Sequence, residues 1–437
     1  MSFIRKPGTI SALQFYQLVR FGSLLLISIL LTKAGLSASD IGLYESVLFL
    51  VGLLSFFWIN GYIQSFLAIH REYTLPGQKH PGYVNGAGVL FLFALLAVVI
   101  FLISAPFLEL SIWTHHRNDL LPILLIYLLV SAPTALVEYI YLLEKQAEKL
   151  IRYSLWSHGI QVGLVGILIF MGHGLMGALV GLLASAVVRF IWLVALLRRW
   201  GQFQVNIRFI TTSLFTAWPL ILLALVGGSA SYIDGSVVAA YFDEAHFAIF
   251  RYGARELPFV VLFANAFSNA MVPHFSNPKA LEENLQTLKK KALQLAHFFF
   301  PITFALLLTS HFLFPILFNP DFAASASIFN IYLLIISSRL VFPQTILYGM
   351  RDNTPVLWIG IFALGVHLLT SLGLVTVWGM QGVALAAVVA NLVEKSILAY
   401  YLHKKHGISI KNYLHLNWWI LYNSILLIVY ILSIQFI

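Results

Sequence analysis

Eleven charged residues lie inside segments that are otherwise long and apolar, and they define the chemistry open to this chain. Six are basic and five are acidic: Arg20, Arg189, Arg251, Arg255, Arg339, Lys395, Glu45, Glu138, Asp234, Glu256 and Glu394. A charged side chain at the centre of a membrane helix costs about 2.5–3.5 kcal/mol on insertion scales, so such residues usually face water, a ligand or each other. We therefore take these eleven residues as the candidates for function. Arg189 and Lys395 lie near the inner ends of their segments, where we expect long side chains to reach the headgroups.

Three arginines are the strongest candidates for binding an anion. Arg20 lies well inside the first apolar segment, and Arg251 and Arg255 have the i, i+4 spacing that places two side chains on one helix face. Pro258 follows closely, and a proline inside a helix removes a backbone hydrogen bond and kinks it. Because guanidinium groups bind phosphate in a bidentate manner, the pattern predicts a phosphate-bearing ligand. An internal arginine–glutamate network is the alternative interpretation.

A second candidate site would bind a coupling cation. Asp234 lies in the seventh apolar segment, and a single carboxylate inside a membrane is suited to binding a cation or a proton. His367 and Ser371, spaced i, i+4 in the eleventh segment, are its candidate partners, and histidine titrates near neutral pH. The alternative for His367 is a hydrogen-bonded packing residue. We predict no resident cofactor and no metal centre, and a proton or sodium as the coupling ion.

The composition indicates that most of this chain lies in a lipid bilayer. Of its 437 residues, 60% are hydrophobic and 10% are charged, with a mean hydropathy of +0.89. Soluble proteins carry about 25% charged residues, so this composition excludes soluble enzymes, disordered chains and nucleic-acid binders. The chain has no cysteine, which excludes thiolate metal sites, iron–sulfur clusters and cysteine nucleophiles. The net charge of +9 is then expected to lie in cytoplasmic loops.

The apolar segments predict thirteen transmembrane helices. A span needs about 20 mainly apolar residues. The segments lie near 12–34, 41–69, 83–108, 120–143, 152–172, 174–197, 218–240, 247–273, 288–313, 325–348, 357–377, 379–402 and 414–436. With a cytoplasmic N-terminus, the inner loops hold 18 lysines and arginines and the outer loops hold two. This bias follows the positive-inside rule and predicts a multi-pass membrane protein with a cytoplasmic N-terminus.

The spacing of the spans predicts an internal repeat. An offset of 205 or 206 residues moves each of the first six spans onto one of the next six, and the stretch from Leu142 to Gly201 maps onto Leu347 to His406 without a gap. Six spans per copy give both copies the same orientation. We therefore predict an all-α polytopic fold of two parallel six-helix lobes, 1–205 and 206–405, with an additional helix in 406–437.

Two short patterns resemble a known superfamily. One runs from Ile233-Asp234-Gly235 through Arg255-Glu256-Leu257-Pro258 to Val272-Pro273, and the other is the glycine pair Gly174/Gly177 with its counterpart Gly379/Gly382. Together they resemble the lipid II flippases, which form the MOP exporter superfamily with the Wzx-type oligosaccharide flippases and the MATE drug exporters. The resemblance implies a MATE-like fold, alternating access and a substrate pyrophosphate held by cavity arginines.

The resemblance also implies an ion site and shows two departures. Lipid II flippases bind sodium with an Asp of span seven and an Asn and an Asp of span eleven. Asp234 matches the first of these, whereas His367 and Ser371 stand where the others would be, which favours a proton. Thirteen spans instead of fourteen favour an oligosaccharide flippase over a lipid II flippase.

We therefore predict a flippase, not an enzyme, for an undecaprenyl-pyrophosphate-linked oligosaccharide such as a polysaccharide or O-antigen precursor. Its partners would be this lipid-linked glycan, the bilayer and other polysaccharide-assembly proteins, and not nucleic acid. The predicted substrate-binding residues are Arg20, Arg251, Arg255, Glu45, Glu256 and Arg339, with Glu45 and Glu256 orienting the arginines. Asp234, His367 and Ser371 would couple transport to the ion.

Two other functions fit the composition. The first is a MATE-like, cation-coupled drug antiporter, although a positively charged cavity is unsuited to cationic drugs. The second is a membrane glycan polymerase or glycosyltransferase. Such enzymes place catalytic residues in long external loops, whereas the outer loop at Glu109–Asp119 has eleven residues.

Overall fold

A computed structural model describes residues 8–73, 79–104, 117–256 and 258–434. Arg5 and Lys6, most of the outer loop at 109–116, and Leu257 of the motif lie outside these residues. The described residues are helical apart from short connections and one backbone bridge between His80 and Gly201. This architecture confirms the all-α class.

The helices begin and end close to the predicted apolar segments. In the first half of the chain they are α1 (Thr9–Lys33), α2 (Ala38–Tyr73), α3 (Pro81–Ser104), α4 (Arg117–Thr134), α5 (Leu136–Leu143), α6 (Ala147–Leu168) and α7 (Gly174–Trp200). In the second half they are α8 (Ile207–Tyr241), α9 (Glu244–Gly253), α10 (Pro258–Met271), α11 (Leu281–Leu317), α12 (Ala323–Leu333), α13 (Ile336–Arg339), α14 (Pro343–Gly349), α15 (Asn353–His406), α16 (Ile410–Tyr413) and α17 (Leu416–Ile434).

Ten helical stretches in the described residues are long and apolar enough to cross a membrane. Two of them, Ala147–Trp200 and Asn353–His406, have 54 residues each and contain two predicted spans apiece. These ten stretches therefore account for twelve of the thirteen predicted spans. The remaining one, 247–273, is divided between α9 and α10.

Three of the described α-helices begin with a proline. Pro81, Pro258 and Pro343 are the first residues of α3, α10 and α14. Proline suits this position because its fixed φ is helical and the first N–H of a helix has no intrahelical partner. Pro258 therefore starts a new helix, and the expectation of one kinked helix through this region is wrong.

The chain divides into two compact units. The first comprises residues 1–228 and 242–248, and the second comprises 229–241 and 249–437. Within the first unit, α1 packs on α6, and α7 packs on both α4 and α6. Within the second, α11 packs on α12 and α17, and α15 packs on α12 and α14. The lobe boundaries at 205 and 405 stay a prediction.

A helix-ending turn recurs in both halves and supports the internal repeat. The turns after α5 and α14 each place a basic residue in the left-handed region, Lys145 at φ 54° and Arg351 at φ 60°. In each turn the next backbone N–H donates to the carbonyl five residues earlier at 2.9 Å. Non-glycine residues rarely adopt positive φ, so the coincidence at an offset of 206 residues is specific.

The first copy is one residue longer than the second, and the additional residue lies in a π-helical turn. Gly174 (φ 53°, ψ −140°) and Gly379 (φ 57°, ψ −140°) interrupt the two 54-residue stretches at equivalent points, but their offset is 205. The extra residue of the first copy lies between α6 and α7, where Ile169–His173 forms a π-helix. A π-turn contains one more residue than an α-turn, so the predicted gap-free match between the copies is wrong.

The second glycine of each pair allows the helices on either side of this turn to approach closely. A Cβ on Gly177 would lie 3.0 Å from the Leu168 carbonyl oxygen, and a Cβ on Gly382 would lie 2.3 Å from that of Leu374. The Gly-x-x-Gly pattern therefore has a packing function. Its first glycine adopts the left-handed turn, and its second leaves room for backbone.

We expect Gly382→Ala to lower the thermal stability of the purified protein. The added methyl group would displace a backbone carbonyl, and overpacking of this kind costs about 1–3 kcal/mol. The matched control is Gly373→Ala in the same helix, where a Cβ meets nothing within 4 Å. Thermal unfolding of the two variants in one detergent measures the difference. Equal midpoints for both variants would contradict this packing role.

Candidate functional site

Asp234 and His367 form a buried pair in the second unit. Asp234 on α8 is 7% exposed and His367 on α15 is 3% exposed. Nε2 of His367 is hydrogen-bonded to Oδ1 of Asp234 at 2.7 Å. The hydroxyl of Tyr332 on α12 donates to the other carboxylate oxygen, Oδ2. One carboxylate therefore joins three helices, and both of its oxygens are occupied.

Ser371 lies one helical turn after His367 and is also buried. Its hydroxyl oxygen has no hydrogen-bond partner among the residues that the structure describes. The structure therefore brings Asp234 and His367 together as the spacing predicted and places Tyr332 where Ser371 was expected to act. Within the described ranges, no group of three or more His, Asp or Glu side chains is arranged to hold a metal ion.

Glu256 and Arg339 form a bidentate ion pair in the second unit. Nε of Arg339 donates to one carboxylate oxygen at 2.8 Å, and Nη2 donates to the other at 2.5 Å. Arg339 ends the short helix α13, and Glu256 lies in the connection between α9 and α10. The carboxylate predicted to orient the span-eight arginines thus binds a different predicted residue, 83 positions away.

Arg251 and Arg255 lie at a break in the eighth span. Helix α9 ends at Gly253 and residues 254–256 are not helical, so the two arginines do not share a helix face as predicted. They are still adjacent, because Nε of Arg255 donates to the carbonyl oxygen of Arg251 at 3.3 Å. The Arg255 guanidinium carbon also lies 5.2 Å from the centre of the Tyr252 ring, a cation–π distance.

The other two predicted substrate-binding residues lie in the first unit. Arg20 is on α1 with an exposed side chain, and Glu45 is buried on α2. The Ser23 hydroxyl donates to the Arg20 carbonyl oxygen at 2.8 Å. The predicted convergence of Arg20 with Arg251 and Arg255 on one ligand stays a prediction.

The structure shows a polar cluster around Arg189 in the first unit that the sequence pattern did not predict. Nη2 of Arg189 donates to the side chain of Gln161, to Nδ1 of His158 at 3.1 Å and to the Ser157 carbonyl at 3.4 Å. The expectation that Arg189 reaches the headgroups is therefore wrong, because its guanidinium is bound by polar groups of α6. Lys395, expected to behave likewise, lies 4.0 Å from a carboxylate oxygen of its neighbour Glu394.

The repeat offset identifies polar positions that recur in the two halves. Gln161 and His367 are 206 residues apart, and so are Ser28 and Asp234. His367 on α15 contacts Asp234 on α8. His158 lies one turn before Gln161 on α6, and its Nδ1 is 3.3 Å from the hydroxyl oxygen of Ser23 on α1. The helix pair α1 and α6 thus corresponds to α8 and α15. The offset therefore relates Gln161 of the Arg189 cluster to His367 of the Asp234 cluster.

The described residues contain ten membrane-length helical stretches with ion-paired and hydrogen-bonded polar groups between them, which is typical of a polytopic membrane transporter. The chain belongs to the lipid II flippase MurJ family, whose model matches residues 62–436. This is a family of flippases, and not of enzymes. A comparison with curated protein sequences finds no match.

Solved structures of the MOP superfamily share the fold. A lipid II flippase MurJ in an inward closed conformation has a TM-score of 0.67 and 15% identity, with 96% of this chain and 98% of that chain covered. An inward-facing MATE multidrug transporter has a TM-score of 0.60 and 16% identity, covering 92% and 98%. A MOP transporter from Pyrococcus furiosus has a TM-score of 0.52 and 14% identity, covering 92% and 96%. These likenesses confirm the MATE-like fold.

Proposed function

We propose that this protein moves an undecaprenyl-pyrophosphate-linked glycan across the bacterial inner membrane by alternating access, with its N-terminus in the cytoplasm. The family supports a lipid-linked precursor as the substrate class. The observation that carries the proposal is the break in span eight. At this break the Arg255 guanidinium is hydrogen-bonded to the backbone carbonyl of Arg251, beside non-helical backbone in a segment predicted to lie within the membrane.

The chemistry of a pyrophosphate headgroup suits this break. Its phosphoryl oxygens carry concentrated negative charge, which planar guanidinium groups bind in a bidentate manner. Non-helical backbone at membrane depth is tolerated where it lines a cavity or is buried in protein. In this proposal Arg251 and Arg255 hold the pyrophosphate while the polyprenyl chain stays in lipid. Glu256 holds Arg339 at the edge of the same break.

The pair of Asp234 and His367 is proposed to couple this movement to protons. Hard cations such as sodium prefer oxygen ligands, whereas imidazole is a poor ligand for them. Both carboxylate oxygens of Asp234 already bind protein donors, one of them a titratable imidazole. A proton can be taken up by this pair without a new coordination shell, which favours a proton over sodium.

The glycan itself is proposed to be an oligosaccharide of the polysaccharide or O-antigen type. This choice rests on the thirteen spans predicted from the given sequence, because the lipid II flippases that the sequence resembles have fourteen. Lipid II is the second candidate, and the match to the MurJ family favours it. Proteoliposomes loaded with either lipid distinguish the two substrates by the rate at which each headgroup becomes accessible on the opposite face.

The same assay tests the arginine site through Arg255→Ala. Loss of a charge-assisted hydrogen bond costs about 1.5–3 kcal/mol, so we expect a flipping rate roughly 10- to 100-fold lower. The matched control is Arg208→Ala, which removes an exposed arginine at the start of α8. Wild-type flipping by the Arg255 variant at equal protein content would refute the proposed role of this arginine.

A further inference from the structure

A cavity of about 390 Å³ lies between α10 and α11 in the second unit, and none of its lining residues belongs to the proposed substrate or ion sites. Its walls are mainly aromatic and aliphatic, with two polar side chains. The lining residues are Phe263, Phe267, Lys291, Gln294, Leu295, Phe298 and Phe299.

Along α11 the lining residues change from polar to apolar. Lys291, Gln294, Leu295 and Phe298 follow the i, i+3, i+4, i+7 pattern of a single helix face on α11. At 1.5 Å per residue, Lys291 and Phe298 are about 10 Å apart along the axis. Phe263 and Phe298 are 55% and 61% exposed, so the apolar part of the cavity is open on its outer side.

The polar end of the cavity lies in the basic region of α11. Lys289, Lys290 and Lys291 follow one another, and the Lys289 ammonium is bound by the Lys411 carbonyl at 2.7 Å. Lys291 instead lines the cavity. Lysines at the end of a transmembrane helix attract anionic lipid headgroups, each contributing about 1 kcal/mol.

We propose that this cavity binds one anionic glycerophospholipid of the bilayer. Lys291 and Gln294 contact its phosphate, and one acyl chain lies against Phe263, Phe267 and Phe298. The order of the lining matches a lipid, which has a charged headgroup next to hydrocarbon. The predicted orientation of the chain places this site in the cytoplasmic leaflet.

The site has a consequence for α10. This helix begins directly after the non-helical segment that carries Arg255 and Glu256. A lipid held between α10 and α11 would fill the space beside α10 and restrict its movement. The lipid site does not depend on the proposed substrate, because it is measured by binding alone.

Native mass spectrometry of the full-length, delipidated protein tests the site with phosphatidylglycerol and phosphatidylcholine as probes. We expect phosphatidylglycerol to bind at least fivefold more tightly than phosphatidylcholine. We expect Lys291→Gln to remove that preference. The matched control is Lys290→Gln, which loses the same charge at a neighbouring residue that does not line the cavity, and which should keep the preference.

Three results would overturn the proposal. Equal affinity of the wild-type protein for the two phospholipids would show that the headgroup charge is not recognised. An equal loss in the Lys290 and Lys291 variants would indicate a diffuse effect of net charge. Undecaprenyl phosphate that displaces phosphatidylglycerol from the wild-type protein but not from the Lys291 variant would assign the cavity to the substrate chain. Thermal unfolding confirms that each variant is folded.

Discussion

Asp234→Asn is expected to abolish gradient-driven transport while leaving the protein folded. Asparagine keeps the size of the side chain and its carbonyl oxygen still accepts a hydrogen bond, so the contact from Tyr332 can persist. It cannot take up a proton or carry the negative charge that a coupling cation requires. We therefore expect stimulation by an imposed gradient to fall to the level of protein-free vesicles, which is measured in proteoliposomes with a pH or a sodium gradient.

Two further variants identify the ion. His367→Gln introduces the residue found at the equivalent position, 161, and removes the titratable imidazole while keeping a hydrogen-bond donor. If protons are coupled, this variant should lose stimulation by a pH gradient. Ser371→Ala is the control, because the serine hydroxyl has no partner among the described residues. Undiminished gradient stimulation in the Asp234 variant would refute coupling at this carboxylate.

The sequence predicted contacts best where a polar or charged side chain lies in an apolar segment, because burying such a side chain in a membrane costs free energy. Asp234 and His367 could be paired because each is a polar group in an apolar segment, and such groups seek each other in a membrane. Tyr332 completes the same cluster, but a tyrosine in a membrane segment is common and gives no comparable signal. The structure was needed to identify it.

Partners that are distant in the chain could not be assigned from spacing. Glu256 was expected to orient the arginines of its own span, because helical spacing relates only near neighbours. The end of α9 at Gly253 removes that helical relation, and the carboxylate meets Arg339 instead. Pro258 signalled a disturbance of the helix at this point, but whether a proline kinks a helix or begins one depends on tertiary packing.

The sequence predicted the repeat but not its residue-by-residue correspondence, which the backbone angles determined. Shared span lengths allowed offsets of either 205 or 206 residues. The left-handed residues Lys145 and Arg351 fix the offset before the π-turn, and Gly174 and Gly379 fix it after that turn. A single inserted residue leaves hydropathy unchanged, so it could not be located from composition.

Removing either partner of the Glu256–Arg339 pair is expected to lower the free energy of unfolding. Removing both is expected to lower it by less than the sum of the two single losses. An unpaired charge in a fully buried pair costs about 3–5 kcal/mol. Here the side chains are 26% and 31% exposed, so we expect about 1–3 kcal/mol for Glu256→Gln or Arg339→Gln alone. Thermal unfolding of the two single variants and the double variant measures the coupling.

The same cycle separates a structural role for Arg339 from its predicted role in substrate binding. If Arg339 only holds the connection between α9 and α10, the double variant should regain flipping together with stability. If its guanidinium also binds the pyrophosphate, flipping should stay low in both variants that lack Arg339, whatever their stability. Glu256→Gln leaves the guanidinium in place without its carboxylate, so it should then keep more flipping activity than Arg339→Gln. Two side chains joined by two hydrogen bonds should be energetically coupled, so the loss of one should change the effect of losing the other. Additive changes in the free energy of unfolding would contradict this coupling.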